Sequence, residues 1–220
     1  MSLPRLDGLI VLLAFGALPA WASTEEDLFF KSVADVNEGE LRFLTEMPAK
    51  PVHHHQNRIT IDDASLNSGW VHLEQCHRHL DPVPRTQVVF RQDFIRNLRL
   101  VRQDGIGRAW VEGPSVQLED IGPDAILCIQ ADTLALSPWE AGGPVLRNGP
   151  YMRRFLDGYY PMRVSIQVHL ATDQIRFAAL SPAPQPGLDL NIQGQNIKLE
   201  AVFEGQLRTE MRFGPDGTAP

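Results

Sequence analysis

The chain has 220 residues, is 43% hydrophobic by composition and carries a formal net charge of −7. This size is sufficient for one good hydrophobic core, and the acidic balance without any basic block argues against nucleic acid or anionic lipid as the main partner. No apolar run beyond residue 22 approaches the roughly 20 residues that a membrane-spanning helix needs. We therefore expect no membrane span in the mature chain.

The first 22 residues have the pattern of a cleavable signal peptide. Arg5 lies near the amino terminus, an apolar run occupies residues 9–18, and Ala20 and Ala22 supply the small side chains that a signal peptidase accepts. The apolar run is too short to serve as a spanning helix. We expect cleavage after Ala22 and export of residues 23–220 to the periplasm or the medium.

Most of the mature chain consists of short apolar or alternating runs that are separated by Gly, Pro, Asn and Asp. Such runs predict β-strands. They occupy residues 70–74, 87–90, 98–101, 109–111, 116–118, 125–129, 162–170, 175–177, 197–203 and 206–213. Helical structure is expected only at residues 28–36 and, as a short turn, at residues 93–98.

Turns and connectors complete the pattern. Glycine-containing turns are expected at residues 104–107 and 112–115, and residues 182–186 contain three prolines that favour an extended connector. Many short strands at this spacing are typical of an antiparallel β-sandwich or barrel. We therefore predict an all-β fold with at most one or two short helices, in a single domain over residues 23–220 that begins with a short lead-in segment.

The sequence contains two cysteines, Cys76 and Cys128. An even count in an exported chain favours a disulfide bond, which would close a loop of about 50 residues and stabilise the fold by about 4 kcal/mol in the chain-entropy account. A pair of buried free thiols is the alternative. Neither cysteine belongs to a C-x-x-C motif, which argues against a thiol–disulfide oxidoreductase.

Histidine is the strongest candidate for a chemically specialised site. Six of the seven histidines fall in one stretch: His53, His54, His55, His72, His77 and His79. Neutral imidazole suits copper and zinc, and on a strand His77 and His79 would project to one face. We take His72, His77 and His79, with His53 or His55 as a further ligand, as a candidate copper or zinc site. Hydrogen-bonded or solvated histidines without a metal are the alternative.

Residues 148–161 combine aromatic and basic side chains between two turns. Exposed tyrosines and arginines are good recognition anchors because they bury much area at a modest entropic cost. The candidate recognition surface consists of Tyr151, Arg153, Arg154, Tyr159 and Tyr160. The alternative is a loop that plugs one end of the β-core, with Arg153 or Arg154 paired to Asp157.

Catalytic motifs are missing from the sequence. It contains no G-x-S-x-G, no H-E-x-x-H and no G-x-G-x-x-G. The carboxylate pairs Asp62-Asp63 and Glu119-Asp120 lie at expected turns, where they cap or face solvent. We therefore identify no catalytic residue.

Three functions remain open. The leading hypothesis is an exported, non-enzymatic β-domain that binds or supports a cell-envelope partner, which is either another protein or a glycan. The first alternative is a periplasmic copper- or zinc-binding protein that uses the histidine-rich stretch. The second is an envelope hydrolase, which requires a pocket with a buried acid or base of shifted pKa.

Overall fold

A computed structural model of the chain describes Asn37, residues 39–137 and residues 142–215. The chain divides into two compact units, Met1–Asp35 and Val36–Pro220, and all the described residues belong to the second. The expected signal peptide over residues 1–22 and the expected helix at residues 28–36 lie outside the described residues.

Strands dominate the described part of the chain, which confirms the prediction of an all-β fold. They are β1 (Arg42–Phe43), β2 (His54–Asp62), β3 (Trp70–Arg78), β4 (Arg85–Val89), β5 (Ile95–Glu112), β6 (Ser115–Leu134), β7 (Val145–Tyr151), β8 (Arg154–Phe155), β9 (Gly158–Tyr159), β10 (Met162–Ala171), β11 (Ile175–Ser181), β12 (Leu188–Gln193), β13 (Asn196–Glu204) and β14 (Leu207–Pro215). Within the described residues, one α-helix, α1 (Asp63–Ser68), follows β2, and a 3₁₀ turn (Gln92–Phe94) precedes β5.

The strands form one large sheet and two small ones. The large sheet has the order β1-β13-β10-β2-β3-β6-β4, with β12 also beside β13 and β5 also beside β6. All its neighbouring pairs are antiparallel except β2 and β10, which run parallel. The second sheet has the order β11-β14-β7, and β8 pairs with β9.

Two hydrophobic cores follow from this arrangement. In the first, inward side chains of β10, such as Val164 and Ile166, meet residues of the three-stranded sheet, such as Met211 and Phe213, as in a β-sandwich. The predicted alternation over residues 162–170 is confirmed, because its apolar members are buried. The second core lies within the arm formed by β4, β5 and β6. The two cores are distinct clusters, so a boundary separates them.

The arm is a long hairpin whose tip matches the prediction. Glu112 pairs with Ser115 across a two-residue turn, where residues 112–115 were expected to turn. The turn expected at residues 104–107 is instead a bulge inside β5, because the register shifts between Asp104 and Ile106 while the strand continues. Gly105 has a φ of 65°, a conformation that serves a bulge as well as a turn.

The helix α1 is short and well capped. Asp62 is its N-cap, and its Oδ1 accepts a hydrogen bond from the backbone N–H of Ser65 at 2.8 Å. This is the capping role expected for the Asp62-Asp63 pair. Gly69 ends the helix with a φ of 76°, and a Cβ at this position would lie 2.6 Å from a backbone carbonyl oxygen. In the described part of the chain, no helix is long and apolar enough to cross a membrane.

The predicted disulfide is present. Cys76 of β3 and Cys128 of β6 are directly opposite each other in the antiparallel pair, with their Cα atoms 4.1 Å apart. The bond therefore fixes the register between β3 and β6, at the point where the arm leaves the rest of the sheet.

Candidate functional site

A cleft opens at the boundary between the two cores. It consists of two adjoining cavities of about 450 and 880 Å³, which share His55, His77, Val88, Pro150 and Tyr151 in their linings. One wall comprises β4 and the residues beside it, and the opposite wall comprises residues 147–155. The segment proposed for recognition from sequence therefore borders a real concavity.

Three histidines form the floor of this cleft. Strand alternation places His53 and His55 on one side of the chain and His54 on the other. In the antiparallel pair of β2 and β3, His55 lies directly opposite His77. The ring centroids of His55 and His77 are 4.6 Å apart, and those of His53 and His77 are 5.2 Å apart. We call His53, His55 and His77 the imidazole cluster.

Hydrogen bonds connect the cluster to neighbouring polar side chains. Gln75 Nε2 donates to His77 Nε2 at 2.6 Å, so His77 Nδ1 holds the proton that it donates to His53 Nε2 at 3.0 Å. His55 Nε2 donates to Asn57 Oδ1 at 2.9 Å. Each ring thus makes at least one hydrogen bond in its neutral form.

The electrostatics of the cluster agree with this pattern. Burial lowers the pKa of His53 to about 4 and the pKa of His55 to about 3. Burial, followed by the neighbouring rings, lowers the pKa of His77 well below 6.5. The cause is that an imidazolium loses its hydration in this environment. At neutral pH the cluster therefore offers uncharged donors and acceptors.

The opposite wall is anchored by an ion pair and a tyrosine. Arg153 makes a two-pronged contact with Asp81, with Nε 3.0 Å from Oδ2. Asn57 Nδ2 donates to the Tyr151 hydroxyl at 2.7 Å, which links this wall to the cleft floor. The wall is therefore held by Asp81 at one point and by Asn57 at another.

The ion pair considered within this segment differs from the one that forms. Arg153 contacts Asp81 rather than Asp157, and the Asp157 carboxylate accepts a hydrogen bond from the Tyr160 hydroxyl. Arg154 lies over the Tyr159 ring at 5.5 Å. The segment is thus tied through Arg153 to a residue far from it in sequence, which a local pattern does not reveal.

The exposed surface of this segment differs from the predicted one. Tyr151 and Tyr159 are buried, because Tyr151 packs into the first core and the Tyr159 hydroxyl accepts from Gln206 at 2.8 Å. The exposed apolar residues are Met152, Phe155 and Leu156, and Leu156 at the tip of the β8–β9 hairpin is fully exposed. These three were missed because an apolar residue in a short run is normally assigned to a core.

The cleft is basic in an acidic protein. Among the described residues that line it, the charged ones are Arg91, Arg147, Arg153, Arg154 and Asp81, four positive and one negative. The whole chain has a net charge of −7. Arg91 stacks over the Phe94 ring at 3.8 Å. Neither Arg91 nor Arg154 has a carboxylate partner among the described residues, so both remain available to an anion.

The structure does not bring His72, His77 and His79 together. His77 points into the cleft, whereas His72, an odd number of residues away on β3, points to the opposite face and contacts Asp132 at 2.6 Å. His79 follows the end of β3, has a φ of 52° and contacts Asp124 at 2.8 Å. Among the described residues, no group of three or more His, Cys, Asp or Glu is arranged to hold a metal ion.

One serine contacts a histidine on the outer face of the large sheet, but in an order that does not suit nucleophilic catalysis. The Ser165 hydroxyl donates to Glu200 at 2.7 Å and therefore accepts from His54 Nε2 at 2.6 Å. A nucleophilic serine must instead give its proton to the histidine. Burial, followed by the charge of Arg163, also lowers the pKa of His54 to about 4, which makes it a weak base.

Several cleft residues were not identified from sequence. Asn57 and Gln75 lie two residues from His55 and His77 along their strands. Reading residues 53–57 as a strand with one polar face would have found the first of them. Asp81, Arg91 and Arg147 carry no comparable local signal, because only the fold brings them to the cleft.

Comparison with known proteins gives distant likenesses only. No protein-family model and no curated protein matches the chain. A mutant M1 zinc metallopeptidase from Deinococcus radiodurans, bound to a Tyr-Ser-Ala substrate, has 11% identity and a TM-score of 0.41, covering 82% of this chain and 44% of that one. Another structure of an M1 zinc metallopeptidase from Deinococcus radiodurans has 12% identity and a TM-score of 0.40, covering 82% and 43%. The chain spans less than half the length of these structures, and the similarity is too distant to transfer a site or an activity.

Proposed function

We propose that the protein is an exported, non-enzymatic binding protein that holds an anionic cell-envelope partner in the cleft. The observation that carries this proposal is the excess of positive charge in the cleft lining of a chain of net charge −7. Arg153 pairs with Asp81 and Arg147 with Glu210, whereas Arg91 and Arg154 have no carboxylate partner among the described residues. A positively charged cleft on a negatively charged protein attracts anionic ligands by electrostatic steering.

The cleft chemistry favours binding over catalysis. The imidazole cluster is hydrogen-bonded to histidine, glutamine and asparagine side chains, with no hydroxyl or thiol nucleophile among these partners. A general base works best with a pKa near the working pH, whereas burial lowers the pKa of His53 to about 4. Neutral imidazoles of this kind suit fixed hydrogen bonding to a ligand.

Export is supported by two features. The first 22 residues have the pattern of a signal peptide, and the Cys76–Cys128 bond is of a type that persists in oxidising compartments. A periplasmic or secreted location follows from this proposal.

The test is a matched pair of charge variants. The double variant Arg91→Gln with Arg154→Gln removes two cleft charges, and the control Arg42→Gln with Arg212→Gln removes two exposed charges outside the cleft. The wild type and both variants are used as baits in cell-envelope extracts, and the captured proteins are quantified by isotope-labelled mass spectrometry. A partner should be retained by the wild type and by the control and lost by the cleft variant. Equal capture by the cleft variant and the control would refute an anion-binding cleft.

A copper or zinc site is the second candidate function. It is favoured by the 3.0 Å approach of His53 Nε2 to His77 Nδ1 at the cleft floor. A metal ion there would displace the proton that His77 Nδ1 donates to His53 in the metal-free protein. Protein purified without a polyhistidine tag should be titrated with zinc and with copper(I). Stoichiometric binding that is lost in His53→Gln and kept in His72→Gln supports this role, and the lack of any sub-micromolar affinity removes it.

A further inference from the structure

The strand β4 has one open edge beside the cleft. Among the described strands, β4 pairs only with β6. The N–H of Phe90 donates to the carbonyl of Pro114 at 2.9 Å, and the N–H of Asp120 donates to the carbonyl of Pro84 at 2.8 Å. In an antiparallel ladder alternate residues bond the same neighbour, so residues 84, 86, 88 and 90 face β6. The backbone groups of residues 85, 87 and 89 therefore face away from it.

This open edge runs along both cavities of the cleft. Thr86, Gln87 and Val88 line the smaller cavity, and Val88, Val89 and Phe90 line the larger one. A segment paired with β4 would pass from one cavity to the other. Five residues of such a segment span about 17 Å, with every second side chain on the same side.

The cavities offer apolar contacts at both ends of such a segment. The smaller one is lined by Leu80, Val83 and Met162, and the larger one by Phe94 and Leu136. Alternate apolar side chains of a bound strand would lie against these residues, as in other cases where a peptide extends a sheet.

We propose that the ligand of the cleft is an extended, acidic segment of a partner protein, which adds to the large sheet as a strand beside β4. Backbone hydrogen bonds to residues 85, 87 and 89 hold the segment, and its Asp or Glu side chains pair with Arg91 and Arg154. This inference rests on the proposed function and specifies its ligand class.

A second copy of this chain fits the edge less well. If β4 paired with β4 of another molecule, the incoming strand would be Arg85–Val89, which contains an arginine and no acidic residue. It would leave Arg91 and Arg154 without carboxylate partners. A glycan would match the charge only if it were acidic, and it would make no regular use of the open backbone edge.

The experiment uses a displayed library of random peptides selected on the full mature chain. The expected result is enrichment of peptides in which acidic and apolar residues alternate. In fluorescence polarisation with an enriched peptide, Gln87→Pro should weaken binding at least tenfold, because it removes an N–H that faces the open edge and none that bonds β6. The matched control Gln87→Thr keeps that N–H and should bind as the wild type does.

A second measurement leaves the protein unchanged. Two N-methylated forms of the peptide are compared, one methylated at the odd-numbered backbone amides and the other at the even-numbered ones. Only the amides that face β4 donate hydrogen bonds to it, so one of the two forms should lose binding and the other should keep it. Strand addition is refuted if the Gln87→Pro protein binds the peptide normally and the wild-type protein binds both N-methylated peptides normally. If the double variant Arg91→Gln with Arg154→Gln nevertheless loses binding, the anion-binding cleft is still supported. If the library yields no alternating acidic peptide and the arginine variant still captures its partner, both proposals fail.

Discussion

Acid should destabilise this protein steeply, and the imidazole cluster sets the magnitude. His53, His55 and His77 are neutral in the folded state, because burial lowers the pKa of each below its unfolded value of 6.5. Between the folded and unfolded pKa values the unfolded chain binds the extra protons, so stability is complete above pH 6.5 and falls as the pH decreases. The three protons of the cluster correspond to about 4 kcal/mol per pH unit near pH 5. His54, whose pKa burial also lowers to about 4, adds a smaller contribution because it is only half-buried.

This slope is large compared with the stability of a typical domain, about 5–15 kcal/mol. Between pH 6.5 and pH 4 the loss reaches about 10 kcal/mol, so a domain in the lower half of that stability range should unfold before pH 4. Most carboxylates still contribute little to the pH dependence over this interval. Urea denaturation at half-unit steps from pH 7.5 to pH 4.5, followed by intrinsic tryptophan fluorescence, measures the free energy of unfolding directly.

One variant and one control isolate the cluster. His55→Gln should reduce the slope by about 1.4 kcal/mol per pH unit, the equivalent of one proton. Asn57→Ala removes a neighbour that does not titrate, so it should lower the stability by a similar amount at every pH and leave the slope unchanged. The burial argument would be contradicted by a wild-type slope below about 1.4 kcal/mol per pH unit, the equivalent of one proton. It would also be contradicted by a slope in His55→Gln that equals the wild-type slope.

Three further predictions concern the fold. Replacing Cys76 and Cys128 by serine should lower the free energy of unfolding by about 4 kcal/mol in urea denaturation, as the chain-entropy model gives for a separation of 52 residues; a loss below about 1 kcal/mol would contradict that model here. Asp62→Ala removes the N-cap bond to Ser65 and should cost about 1 kcal/mol, whereas Asp62→Asn should retain most of it. Gly69→Ala should lower the melting temperature, because its φ of 76° and the 2.6 Å Cβ contact are both unfavourable; an unchanged melting temperature would show that the backbone adapts without cost.

The fold class could be predicted from sequence because hydrophobic alternation is local. Residues 162–170 carry this signal over a full strand, and β10 follows it. The strand β2 escaped prediction because His54–Asp62 begins with polar residues on both faces and becomes apolar only at Ile59 and Ile61. Its inward residues near the cleft are polar, so the usual periodicity of a strand is missing there.

The site could be predicted only in part. Three histidines of the histidine-rich stretch lie close together in the structure. Which three do so depends on the register between β2 and β3, which is not a local property. His77 is common to the predicted and the observed group, and His53 and His55 were proposed as alternative further ligands. His79 does not belong to the observed group because β3 ends at Arg78, so strand alternation no longer places His79 on the same face as His77.

The disulfide has a consequence for where the protein works. The Cys76–Cys128 bond fixes the register of β3 relative to β6. It therefore also fixes the position of His77, which lies opposite His55, relative to the arm beside the cleft. In a reducing compartment the same chain would rely on hydrogen bonds and on packing of the buried side chains for this alignment. If the chain is exported as we propose, the cleft reaches this covalently fixed alignment only after oxidation, outside the compartment in which the chain is made.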